Sequence, residues 1–131
     1  MIVVDSSALC AVFFNEPEKS AFQAILDSDE RCIVSAVNAF ETACVLRGKL
    51  GRAAVMEFWQ WLSDNRIEII PFDARQAHEA TAAFDRYGKG LNPRARLNLA
   101  DCAAYALAKT MNAPLLFKGD DFAATDVRAT K

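Results

Sequence analysis

The chain has 131 residues, 53% of them hydrophobic and 24% charged, which fits one globular domain over 1–131 and excludes a disordered chain. Fifteen Lys and Arg against seventeen Asp and Glu give a net charge of −2, a mild acidity that at first sight disfavours a nucleic-acid partner. The longest apolar runs, Ala8–Phe14 and Cys102–Ala108, fall far short of the roughly 18 residues a membrane span needs. Ile2–Val4 reads as a buried strand ending at Asp5, so no secretory signal is expected. Ser6 and Ser7 are candidate caps for a helix over Ala8–Phe14. Pro17, flanked by Glu16 and Glu18, opens a second helix with Phe22, Ile25 and Leu26 inward. Cys32–Val34 is the next strand. Ser35 caps a helix to about Lys49 whose apolar side is Val37, Phe40, Cys44 and Val45. A helix over Arg52–Asn65 carries Val55, Phe58, Trp59 and Leu62. Ile67–Ile70 is a third strand closed by Pro71. Asp73 caps a helix to about Tyr87, Gly88–Leu97 is a loop, Asn98 caps a very apolar helix over Leu99–Met111, and Pro114–Phe117 is the last strand. Strands alternating with helices imply an α/β fold of three layers, with a mainly parallel central sheet covered by helices on both faces.

In such a sheet the carboxyl edge is where ligands bind, and this chain places acids there. Asp5 follows the first strand. Asp120 and Asp121 follow the last. Asp101 is the third residue after Asn98, on a helix that runs antiparallel to the strand it feeds, so its N-terminus lies at the same edge. Glu41 lies six residues beyond Ser35, and helical side chains tilt toward their own N-terminus. Each acid also has a purely structural reading: a cap for Asp5, a favourable dipole position for Asp101, a turn for Asp120 or Asp121. Together they form a self-repelling cluster that a cation would relieve, and an all-oxygen donor set suits Mg²⁺ or Mn²⁺.

The remaining inventory offers little else. The cysteines, Cys10, Cys32, Cys44 and Cys102, form no Cys-x-x-Cys pair and read as buried small hydrophobes of a reducing cytoplasm. The single histidine, His78, sits mid-helix without a Gly-x-Ser-x-Gly elbow elsewhere, and Gly88-Lys89-Gly90 is followed by Pro93 where a dinucleotide fingerprint needs glycine. Carboxylate-held metal acting on water is what remains.

Four segments, in order, resemble the motifs of PIN-domain ribonucleases: Val3-Val4-Asp5-Ser6-Ser7-Ala8-Leu9, Ala39-Phe40-Glu41-Thr42, Leu97-Asn98-Leu99-Ala100-Asp101-Cys102, and Leu115-Leu116-Phe117-Lys118-Gly119-Asp120-Asp121-Phe122 with Thr125-Asp126. Size and motif order are similar to the VapC toxins of toxin–antitoxin pairs. The resemblance covers essentially the whole chain. It implies Mg²⁺-dependent endonucleolytic cleavage of RNA, a homodimer, and a VapB-like antitoxin that wraps the toxin. By position it carries over Asp5, Glu41 and Asp101 as site acids. The fourth acid is Asp120, nearer the strand end, or Asp121 beside it. Ser7 would hold a carboxylate or a water in place.

Arg86–Ala100 contains Arg86, Lys89, Arg94 and Arg96 and no acid. It reads as a basic loop leading to Asp101, with Arg94 and Arg96 as phosphate contacts and Lys118 as a further one. Trp61 falls off the inner face that Trp59 shares, which suits it to a subunit or antitoxin contact. A metal-dependent phosphatase or phosphotransferase lacks its second Asp after Asp5, and a non-catalytic nucleic-acid-binding module has no need of four acids. These are the competing readings.

Overall fold

The computed structural model describes residues 1–130. Four strands, β1 (Ile2–Val4), β2 (Cys32–Ser35), β3 (Glu68–Ile70) and β4 (Leu115–Leu116), form one sheet in the order β3-β2-β1-β4, and every pairing is parallel. Six helices connect them: α1 (Ser6–Phe13), α2 (Lys19–Leu26), α3 (Ala36–Leu50), α4 (Arg52–Asp64), α5 (Ala74–Tyr87) and α6 (Leu99–Thr110).

The chain steps outward from β1 to β2 to β3, then jumps to β4 on the other side of β1. With right-handed crossovers, that reversal moves the later helices to the opposite face. Alternation along the strands matches. Ile2, Val4, Cys32, Val34 and Leu116 pack with Leu9, Val12, Leu46, Phe58 and Leu62 of α1, α3 and α4. Val3, Ile33 and Leu115 pack with Tyr87, Tyr105 and Leu107 of α5 and α6. The reversal beside β1 is also the switch point where parallel sheets open a crevice at their carboxyl edge.

Several local expectations need correction. The cap of α1 is Asp5, whose side chain accepts from the Ser7 N–H, so Ser6 and Ser7 lie inside the helix. The second helix starts at Lys19, leaving Pro17 in the preceding turn. The buried stripe of α3 is Asn38, Ala39, Thr42, Ala43 and Leu46. Phe40 is 68% exposed and Cys44 is exposed. Apolar periodicity selected the wrong side because α3 packs against α1 and α6, where small side chains fit and the Asn38 amide nitrogen and Thr42 hydroxyl find internal acceptors. Trp61 belongs to the core, edge-on to Phe13 at 5.2 Å between ring centroids, whereas Trp59 is 41% exposed.

The basic loop is tightly built. Its neck is closed by Lys89 N–H donating to Leu97 O (2.9 Å) and Leu97 N–H donating to Tyr87 O (3.0 Å). Asn92 Oδ1 accepts from the N–H groups of Arg94 and Ala95, and Ala95 and Leu97 are buried. Gly88 begins this neck, and a Cβ there would stand 2.4 Å from Phe84 O and 2.6 Å from the Phe84 ring. Gly88→Ala is expected to cost about 1–3 kcal/mol by overpacking. Gly48→Ala, in open space within α3, should instead gain about 0.5–1 kcal/mol. Urea denaturation of both variants checks the opposite signs.

Candidate functional site

Asp5 leaves β1 at the switch point, and its own N–H donates to Leu116 O at 2.9 Å. Its side chain is only 2% exposed. Oδ2 accepts from Ser7 N–H (3.0 Å) and Ser7 Oγ (2.6 Å), and the same Ser7 Oγ accepts from Lys118 N–H at 2.9 Å. One hydroxyl thus joins the ends of β1 and β4.

Asn38, fully buried on α3, reaches Asp5 from the other side. Its amide nitrogen donates to Asp5 Oδ1 (3.4 Å), Ser6 Oγ (2.9 Å) and Ala100 O (3.1 Å). Two of these are pure acceptors, which fixes the amide orientation. Its Oδ1 has no protein partner. Its backbone carbonyl accepts from Ser6 Oγ and Thr42 Oγ1. This knot ties β1, α3 and the start of α6 together. The sequence reading missed Asn38. Its signal is an amide three residues before Glu41, in the otherwise apolar run Ala36–Phe40.

Asp101 stands in the first turn of α6. It forms a reciprocal capping box: Asn98 Oδ1 accepts from Asp101 N–H (2.8 Å), and Asp101 Oδ2 accepts from Asn98 N–H (3.0 Å). Burial pushes the Asp101 carboxyl up to about 7, helped by the charges of Asp5, Asp121 and Glu41. Burial likewise pushes Asp5 up to about 6 against the lowering effect of its Ser7 bonds, with Glu41 adding to the rise. Cys10 is driven to about 11, mainly by burial and then by Glu41 and Asp5. The structure therefore brings Asp5, Glu41, Asp101 and Asp121 into one electrostatic neighbourhood. Asp120 stands next to Asp121, and both are exposed.

Among the described residues, no Lys or Arg pairs with any of these acids, and no three His, Cys, Asp or Glu groups are gathered closely enough to hold an ion as they stand. Uncompensated carboxylates repel and stand apart. Their donor set is nonetheless the hard, all-oxygen one that suits Mg²⁺ or Mn²⁺, and a buried carboxylate without a cationic side chain is the group such an ion would neutralise. Arg94 and Arg96 are exposed on the loop leading into α6 and, among the described residues, form no ion pair. Lys118 is different: its ammonium pairs with Glu16 and with Glu18 (3.4 Å) in the turn between α1 and α2.

A PIN domain family model matches residues 2–128. Ribonuclease VapC30 of Mycobacterium tuberculosis is 40% identical over 126 residues, 96% of this chain and 95% of that protein. Among solved structures, Mycobacterium tuberculosis VapC20, described as a Sarcin-Ricin loop cleaving toxin, matches with a TM-score of 0.82 at 15% identity, covering 100% of this chain and 99% of that one. VapBC2 from Rickettsia felis, bound to a DNA fragment from its promoter, matches with a TM-score of 0.74 at 17% identity, covering 100% and 98%. At those identities the two structures speak for the fold.

The raised carboxyls have a consequence for stability. Above an unfolded-state value of 3.8, the unfolded chain releases its protons before the native one, so the metal-free fold loses stability as pH rises from about 4 to about 7. Asp101→Asn keeps an acceptor for Asn98 N–H and removes the charge. Because Asp101 is partly exposed, we expect a gain of only about 1 kcal/mol, or roughly 3–6 °C in Tm, at pH 8 in EDTA. The two proteins should converge near pH 4. A lower Tm for the variant at pH 8 contradicts this account.

Proposed function

The chain belongs to the PIN-domain family, and on that premise we propose that it is the ribonuclease toxin of a VapBC-type toxin–antitoxin pair, cutting RNA as a divalent-metal-dependent endonuclease. The observation that carries this reading is a pair of carboxyls at the carboxyl edge of the sheet, Asp5 and Asp101, both raised by burial and by neighbouring carboxylates (Glu41 at Asp5; Asp5, Asp121 and Glu41 at Asp101), with no Lys or Arg paired to them among the described residues.

Asp5 and Asp101, with Glu41 and Asp121 around them, are the residues that would hold the ion, Mg²⁺ or Mn²⁺. Such an ion supplies the positive charge that neutralises the carboxylates, activates water and stabilises charge on the phosphodiester oxygens. Ser7 and Asn38 keep the Asp5 carboxylate turned toward its neighbours. The capping box keeps Asp101 at the first turn of α6, where the helix dipole also favours negative charge. We assign the fourth place to Asp121 in preference to Asp120, because the charge of Asp121 is felt at Asp101.

Arg94 and Arg96 would hold the RNA backbone beside this centre, as point charges with no competing carboxylate. Lys118 is engaged by Glu16 and Glu18, so it serves substrate only if those pairs open. With the four site acids set aside, thirteen carboxylates face fifteen basic residues, so the overall acidity does not oppose an RNA partner. The relatives include VapBC complexes, which supports a VapB-like antitoxin for this chain. A homodimer and a cytoplasmic location belong to the same reading. The uncharged groove that includes Phe72, Ala77, Ala80, Phe84 and Leu99 is a face that a second copy would cover.

With purified, antitoxin-free protein, RNA cleavage should require Mg²⁺ or Mn²⁺ and stop in EDTA. Asp5→Asn and Asp101→Asn should each lower the rate by at least about 100-fold, and Asp121→Asn should cost more than Asp120→Asn. Cleavage that survives in both Asp5→Asn and Asp101→Asn overturns the assignment. Replacing Arg94 and Arg96 together by Ser should weaken RNA binding and reduce the slope of log affinity against log salt by roughly 1.5, two phosphate contacts' worth; an unchanged slope removes the loop from the substrate surface.

A further inference from the structure

Of the four site acids, Asp121 alone lies neither within a helix nor at a helix cap. A carboxylate on a loop is a poor ligand unless the loop is fixed. The segment after β4 is fixed at several points. Its base closes where Leu115 N–H donates to Arg128 O (2.8 Å) and Thr130 N–H donates back to Leu115 O (3.0 Å). Phe122, the residue after Asp121, is buried against Phe117 at 5.1 Å between ring centroids. Ala123 N–H donates to Asp120 O (3.0 Å), and Thr125 donates to Phe122 O through both its N–H (3.1 Å) and its Oγ1 (2.7 Å). Val127 N–H donates to Thr125 Oγ1 at 3.3 Å.

The run of hydrogen bonds ends at Asp126. Its carboxylate accepts from the Tyr105 hydroxyl and from Lys109 Nζ (3.0 Å). Asp101, Tyr105 and Lys109 lie at i, i+4 and i+8 on α6, which is one stripe of the helix. The same helical face therefore presents Asp101 at its first turn and grips Asp126 one and two turns further on. The Tyr105 ring is held from the other side by Tyr87, 5.7 Å between ring centroids, over which Arg86 stacks at 4.7 Å. Both Asp126 oxygens are engaged by α6, which sets it apart from the four acids, none of which pairs with a cationic side chain among the described residues.

We propose that the Tyr105–Asp126–Lys109 clasp is a positioning device that holds the loop in register on α6 and so sets Asp121 opposite Asp101. Asp126 and Tyr105 act through Asp121 and touch neither RNA nor metal. The proposal rests on the metal-site reading above and goes beyond it by naming what orients the fourth acid.

The test is a double-mutant cycle with two readouts: Mn²⁺ affinity by titration of the whole protein without RNA, and RNA cleavage as a function of Mg²⁺ concentration. Tyr105→Phe, which keeps the ring, and Asp126→Asn, which keeps an acceptor, are each combined with Asp121→Asn. In the wild-type background each should weaken Mn²⁺ binding about 10-fold, as loss of a group orienting a ligand does, and raise the half-saturating Mg²⁺ by a similar factor. The rate at saturating Mg²⁺ should change little. In the Asp121→Asn background neither should have a further effect on Mn²⁺ affinity. Equal losses of Mn²⁺ affinity in both backgrounds, or no loss in either, overturn the clasp as a positioning device, whatever happens to Tm. Wild-type protein that binds no Mn²⁺ overturns the metal-site reading and the clasp together. Wild-type protein that binds Mn²⁺ but leaves RNA uncut overturns only the RNA reading, and the Mn²⁺ cycle still decides the clasp.

Discussion

A carboxylate buried at the end of the first strand, with no cationic side chain beside it, is the constraint around which this chain is arranged. Burying an ionised Asp is costly unless its oxygens are hydrogen-bonded. Here Ser7 and Asn38 supply the donors. Each of them also binds a second element. Ser7 accepts from the backbone after β4, and Asn38 donates to the carbonyl beside Asp101. The bonds that make Asp5 tolerable inside the protein are therefore the same bonds that draw the other acid-bearing segments to it. The remaining tension shows in the carboxyls of Asp5 and Asp101, displaced to about 6 and about 7. Carboxyls perturbed in this way cluster at functional sites, and they are what the proposed metal site rests on.

The topology makes that convergence possible at small cost in chain length. The chain steps outward from β1 through β2 to β3, and a single reversal brings β4 to the free side of β1. The loops after β1 and β4 thus open at one crevice. The helix between the basic loop and β4 begins there, so the arginines of the loop and the first-turn Asp101 arrive at the same edge. Electropositive and electronegative surfaces end up adjacent because one short segment, 88–101, carries both. The irregular segment after β4 joins this arrangement through side chains rather than through a helix or strand: Phe122 in the core and Asp126 on α6.

The strands, the helix order and the capping residues Ser35, Asp73 and Asn98 are legible because each depends on a few neighbouring residues. Asn98 with Asp101 three residues on is such a local signal, and it is present as a capping box. The inner face of α3 is the instructive failure. Val37, Phe40 and Cys44 form the more hydrophobic stripe, yet Asn38, Ala39 and Thr42 are the ones buried. Nothing in a helix's own periodicity states how close its neighbours come. Close approach favours small residues, and buried amides are admitted only where partners from other elements exist. The two tryptophans exchanged places for a related reason: Trp61 finds Phe13 of α1, a partner that the periodicity of α4 alone does not specify.

By itself the sequence determined the alternation of strands and helices, and with it a parallel sheet whose carboxyl edge collects Asp5, Asp101 and the Asp120–Asp121 pair. It did so because strand ends and helix caps are written in short stretches of chain. Only the tertiary structure decided that Asn38 is the hub of the hydrogen bonds around Asp5, and that Lys118 is engaged by Glu16 and Glu18. Those outcomes depend on hydrogen bonds and charges between residues some 30 to more than 100 positions apart. Such distances are closed by packing, and no local pattern of residue types carries them.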